Sequence, residues 1–127
     1  MSNKAIQSPA APAAIGPYSQ AIQAGQTVYV SGQLPIDPAT GAFAGPDIAS
    51  QTRQSLRNIK AILEEAGMTM ADVTKTTVLL ADIAEFGAMN EVYAEFFSEP
   101  YPARAAFQVA ALPKAAKVEI ECVAVRD

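Results

Sequence analysis

Near the end of the sequence a few charged residues stand in an apolar background. Arg104 lies in a run of Ala, Phe, Gln and Val from Ala103 to Val109, with no acid near it. Glu119 and Glu121 interrupt Val118 to Val125, which is otherwise apolar. An unpaired guanidinium in apolar surroundings is costly, so a partner must answer it. Either a glutamate of this chain does so, or a carboxylate arrives with a ligand. Guanidinium grips carboxylate in a two-pronged fork that fixes orientation as well as charge. Glu119 and Glu121, one pleat repeat apart, share a strand face at about 7 Å. Either both are solvated, or their repulsion pushes one carboxyl's pKa up.

The remaining chemistry is bounded by what the composition lacks. The chain has no histidine and a single cysteine. That rules out an intrachain disulfide, a zinc site built on His or several Cys, a Ser-His-Asp triad and a Cys-His pair. Cys122 shares the alternating apolar face of Val118, Ile120 and Ala124, where a thiol serves as a small buried hydrophobe. The net charge is -4, and the nine basic residues are scattered, against the basic stripe that phosphate binding needs. Nucleic acid is therefore not the expected partner.

Four separated stretches carry a family resemblance. They are Ala14-Ile-Gly-Pro-Tyr-Ser-Gln20, Val30-Ser-Gly-Gln-Leu-Pro35, Lys75-Thr-Thr-Val-Leu-Leu-Ala-Asp82, and Pro102-Ala-Arg-Ala-Ala-Phe-Gln-Val-Ala-Ala-Leu-Pro-Lys114 followed by Val118-Glu-Ile-Glu121. Together, in order and over nearly the whole chain, they resemble the Rid (YjgF) family of enamine/imine deaminases. The resemblance implies a single Rid-type domain over residues 1–127. It also implies a chorismate-mutase-like α+β fold and a homotrimer around a central barrel, with sites at the subunit interfaces.

The implied activity is hydrolysis of reactive 2-enamino and 2-imino acids released by pyridoxal-phosphate enzymes. In it, 2-aminoacrylate becomes pyruvate and ammonia, and the butanoate homologue follows the same course. No metal or organic cofactor is implied, since an imine carbon is already electrophilic. By resemblance Arg104 binds the substrate carboxylate and Glu119 positions or activates water, while Glu121 stays structural. Tyr18, Ser31 and Asn90 line the substrate site. Read without the family, Tyr18 is a packing aromatic with a wet hydroxyl, and Ser31 lacks the base that would make it a nucleophile. Asn90 is an amide on the apolar side of a helix, in need of a partner. Some members carry a cysteine two residues after the arginine; Ala106 stands there here. The alternative function is a non-catalytic, oligomeric small-carboxylate-binding or regulatory protein. A ribonuclease or translation inhibitor is a third reading that the acidic charge disfavours.

These residues need a scaffold. Tyr18 to Ala24 and Thr27 to Ser31 read as strands of a hairpin about Gly25-Gln26. Residues 1–13, rich in Ala, Pro and Ser, read as extended. Ile48, Thr52, Leu56, Ile59, Leu63 and Ala66 recur at helical spacing, with Gln51 and Gln54 mostly off the stripe and Gly67 at the C-terminal cap position. Lys75 to Ala81 is a β-branched strand. Asp82-Ile-Ala-Glu85 reads as a capping box opening a helix to about Phe97. Strands from Ala103 and from Val118 follow, linked by the turn Leu112-Pro-Lys114. The order is β-β-α-β-α-β-β, a sheet with both helices on one face. Charged residues make up only 17% of the chain, below the ~25% usual in soluble proteins, so self-association is expected to cover the bare face. The sequence shows no secretory leader and no membrane-spanning run, so a cytoplasmic protein is expected.

Overall fold

The computed structural model describes residues 2–126. Strands β1 (Lys4–Ile6), β2 (Ala21–Ala24), β3 (Thr27–Gln33), β4 (Val73–Leu80), β5 (Ala103–Gln108) and β6 (Val118–Val125) form one sheet, ordered β1-β2-β3-β6-β4-β5. Helices α1 (Ile48–Glu65) and α2 (Phe86–Tyr93) pack on one face of it. Only β4 and β5 pair in parallel. The α+β class agrees with the sequence reading, but the order is β-β-β-α-β-α-β-β. The additional strand is Lys4–Ile6, in the stretch read as extended but not as a strand. It pairs antiparallel with β2, so it is held by a tertiary ladder rather than by local propensity.

The sheet's helix-facing side is apolar through simple alternation. Val118, Ile120, Cys122 and Ala124 are buried, as the period-two pattern requires, and they meet Leu80, Val78, Thr76 and Val73 across β4. Leu56, Ile59 and Leu63 of α1 are completely buried against this side. Asp47 caps α1 by accepting from the Ser50 backbone N–H, and Gly67 takes a left-handed φ of 77° just past its end. Gln51 and Gln54 are buried too, contrary to the off-stripe reading. The Gln51 amide donates to the Gly45 carbonyl at 2.9 Å and accepts the Lys117 N–H at 2.8 Å, so α1 uses buried amides to tie down neighbouring loops. Asn58 does the same for the loop after β3, donating to the carbonyls of Leu34 and Ile36.

Several boundaries differ from the sequence reading: β3 runs on to Gln33, and β4 starts two residues early at Val73. Strand β2 begins only at Ala21, although the Gln20 carbonyl still accepts the Ser31 N–H at 2.9 Å; at Ser19 the carbonyl takes the Ser31 hydroxyl instead, and the Gln20 side chain binds residues 8–12. Asp82 caps only a single 3-10 turn (Ile83–Glu85), and Glu85 pairs with Lys117 at 3.5 Å instead of reaching back to close a capping box. The second helix stops at Tyr93, where i→i−3 bonds tighten the chain ahead of Pro100. Phe97 nonetheless stays buried and packs on Tyr93 at 4.6 Å between ring centroids. Among the described residues, no helix is long and apolar enough to cross a membrane.

Candidate active site

Arg104 sits near the start of edge strand β5, in register with Thr76 of β4. Register partners share a sheet face, so Arg104 projects toward the helices. There α2 offers Phe86, Asn90 and Tyr93, an i, i+4, i+7 stripe. Asn90 Oδ1 accepts from Arg104 Nη1 at 2.6 Å. The guanidinium carbon lies 4.7 Å from the Tyr93 ring centroid and 5.3 Å from that of Phe86, a cation–π arrangement with both. Among the described residues Arg104 has no carboxylate partner; the ion pairs are Arg53–Glu95, Lys117–Glu85 and Arg126–Asp72. Asn90 is exposed rather than buried, and its bond runs to the strand and not to a loop. A pocket of about 450 Å³ opens here, lined by Asn90, Tyr93, Ala94, Tyr101, Pro102 and Arg104.

Glu119 lies elsewhere. On β6 it is in register with Leu79, and Glu121 with Thr77, on the sheet face away from the helices. Its carboxylate rests over Gly32, within the irregularity where β3 shifts register between Val30 and Gln33. A Cβ at Gly32 would come within 3.0 Å of the Glu119 carboxyl carbon, so glycine is what leaves room for this acid. Burial, and to a lesser degree the neighbouring Glu121, holds the Glu119 carboxyl above the usual carboxylate range. The like-charge effect read from the sequence is present, but burial is the larger cause. Ser31 is half-buried beside Gly32, its hydroxyl committed to the Ser19 carbonyl at 2.6 Å. Tyr18 is 53% exposed and shares with Gly32 and Lys114 a pocket of about 320 Å³. Cys122 is buried, and that burial pushes its thiol up to about 12, so it is no nucleophile at neutral pH.

One chain therefore brings the expected residues together as two groups. Arg104 and Asn90 form one, on the helix side of the sheet. Tyr18, Ser31 and Glu119 form the other, gathered about Gly32 at the β3–β6 bulge. The sheet itself separates Arg104 from Glu119.

A family model described as Endoribonuclease L-PSP matches residues 8–126. The bovine 2-iminobutanoate/2-iminopropanoate deaminase is 52% identical over 97% of this chain and 90% of its own length. The chain belongs to the Rid (YjgF) family. Among solved Rid structures, E. coli TdcF with bound serine superposes with a TM-score of 0.93 at 46% identity, covering 98% of this chain and 99% of that one. RidA from an Antarctic Psychrobacter gives 0.93 at 50% identity, covering 97% and 99%.

In this Rid protein Phe86 and Tyr93 are residues of the site that the sequence did not single out. Their spacing around Asn90 was the available signal: three side chains on one stripe, able to hold one group from two sides and an end. Nor did the sequence single out Gly32. Gly32→Ala is expected to leave the fold intact, because the displaced atoms are the far end of a flexible side chain. It should lower kcat by about 10- to 100-fold by moving the Glu119 carboxylate. Circular dichroism alongside steady-state kinetics would check both halves of that expectation.

Proposed function

We propose that this chain is a hydrolytic deaminase that turns 2-aminoacrylate, through its imine, into pyruvate and ammonia, and the four-carbon imine into 2-oxobutanoate. Relatives at about half identity over nearly the full length are 2-iminobutanoate/2-iminopropanoate deaminases. The observation that carries the reading onto this chain is Arg104: a guanidinium stacked on two rings, held by Asn90, and without a carboxylate of its own. Such a group is ready to take a substrate carboxylate in a bidentate grip.

Hydrolysis needs little more than a placed water and a proton carrier. The water oxygen bonds to the imine carbon, and its proton passes to Glu119. Glu119 returns that proton to nitrogen, giving a carbinolamine; it then carries the carbinolamine's hydroxyl proton to the same nitrogen, the C–N bond breaks, and a ketone and ammonia leave. A carboxyl with a raised pKa suits both halves of that exchange, because it sits closer to the working pH. Tyr18 and the Ser31–Gly32 segment line the Glu119 half of the site, and Asn90 holds the Arg104 half. The proposed setting is the cytoplasm, where pyridoxal-phosphate dehydratases release the substrate.

The reading requires Arg104 and Glu119 to reach one substrate, so the site is built from two subunits of a homotrimer. The open sheet face supports this, since Tyr29, Phe107 and Val125 are exposed on it and demand cover. Mixing separately inactive Arg104→Ala and Glu119→Gln subunits, unfolded and refolded together, tests it. Random trimers would place an intact Arg104 beside an intact Glu119 at roughly a quarter of their interfaces, restoring about that share of activity. No recovery in properly assembled mixed trimers would overturn the shared site.

The activity itself is tested by a coupled assay. A serine or threonine dehydratase generates the enamine, and its decay is followed with and without the protein. Decay at the uncatalysed rate, with the protein folded and assembled, would favour a carboxylate-binding module. The family model's description makes RNA cleavage a second reading. The net charge of -4 weighs against it, and RNA affinity that fails to fall steeply with salt would dismiss it.

A further inference from the structure

Arg104 stands on an exposed edge strand, yet its guanidinium has a defined seat. The nearer of its two rings is Tyr93, and Tyr93 is itself pinned. Its hydroxyl and that of Thr76 lie 2.8 Å apart in the core, where Thr76 is only 1% exposed. Phe97 packs on the same ring. Thr76 is also the register partner of Arg104 across β4 and β5. One residue thus stands beside the arginine in the sheet and holds the ring beneath its guanidinium.

We propose that the Thr76–Tyr93 hydroxyl pair positions the substrate clamp. It locks the Tyr93 ring under Arg104, so that the guanidinium lies flat with Nη1 held by Asn90 and the Nε–Nη2 edge turned to the substrate carboxylate. An apolar pair of the same shape would fill the core about as well, so what the hydroxyls add is orientation. Thr76 and Tyr93 touch no substrate atom through these hydroxyls; they act through Arg104. The inference rests on Arg104 being the carboxylate clamp.

The double variant Thr76→Val/Tyr93→Phe tests it, because removing both hydroxyls leaves no buried polar orphan. Pyruvate serves as the carboxylate probe, its Kd measured by calorimetry beside the steady-state kinetics. Pyruvate Kd and substrate KM are expected to weaken roughly two- to fivefold, the scale of one lost exposed cation–π contact, with kcat unchanged within error. Tyr93→Phe alone, which keeps the ring and frees it, should show the same loss. Thr76→Ser, which keeps the hydroxyl, should restore wild-type affinity. Wild-type Kd and KM in both the double variant and Tyr93→Phe would reduce the pair to a packing role and overturn the proposal. Arg104→Ala separates the two levels. If it loses pyruvate binding while the hydroxyl variants keep it, only the positioning role fails. If it binds pyruvate as the wild type does, the clamp fails and the positioning role with it.

Discussion

Arg104→Ala should lower kcat/KM by about 10²- to 10³-fold while leaving the state of assembly and the melting temperature nearly unchanged. The size follows from losing a charge-assisted, two-pronged contact to a carboxylate, worth several kcal/mol in a partly dry site. Stability is spared because the side chain is exposed and balances no buried charge. Its stacking on Phe86 and Tyr93 contributes only about 0.5–1 kcal/mol at such exposure. Arg104→Lys should recover less than about tenfold of the loss. An ammonium keeps the charge but has neither the planar fork nor the flat face that rests on Tyr93. Kinetics on all three proteins, with size-exclusion chromatography to confirm assembly, decide the matter. A lysine enzyme with normal kcat/KM would end the clamp reading, since charge alone would then suffice.

Glu119→Gln is expected to cost about 10²- to 10⁴-fold in kcat, the range for removing a general acid–base group, with a smaller change in KM. The same substitution should raise thermal stability at neutral pH. The sign follows from linkage. Burial raises the folded-state pKa of Glu119, so the native state holds its proton more tightly than the unfolded chain does. That preference stabilises the fold at low pH and is lost as pH rises through the raised pKa, where the half-buried charge must be carried. Glutamine carries no charge at any pH. The variant's advantage in Tm should therefore be largest at neutral pH and narrow toward acid. Wild-type activity should run the opposite way, falling as pH drops through the same raised pKa and the base becomes protonated. Melting curves and pH–rate profiles of both proteins would expose any mismatch. An unchanged kcat in the glutamine variant would remove Glu119 from the proton transfer.

Much of the scaffold was legible before the structure, wherever a residue's own pattern settles its surroundings. Alternation in β6 set which side chains are buried, and the helical stripe from Ile48 to Leu63 set the core face of α1. Gly67 marked the helix end through its left-handed φ. What failed was decided by partners distant in sequence. β1 exists only because β2 offers a free edge, and Gln51 of α1 is buried because the backbone groups of Gly45 and Lys117 satisfy its amide. Glu85 left its capping box for Lys117, 32 residues away.

The site divides along the same line. Residue types and spacing were enough to single out Arg104 and the Glu119–Glu121 pair, because an unanswered guanidinium and a pair of acids in apolar strands are costly wherever they fold, while the choice of Glu119 over Glu121 came from the family resemblance. The four motifs were enough to place the chain in its family. Only the tertiary structure could answer whether Arg104 meets a glutamate of its own chain, the alternative the sequence left open. It does not: β5 and β6 flank β4 instead of pairing, and the register that sends Arg104 toward α2 sends Glu119 to the other face. A strand's side chains alternate by local geometry, but which face belongs to the helices is a property of the assembled sheet. The choice of Asn90, Phe86 and Tyr93 as the arginine's companions was likewise made by packing α2 against β4 and β5.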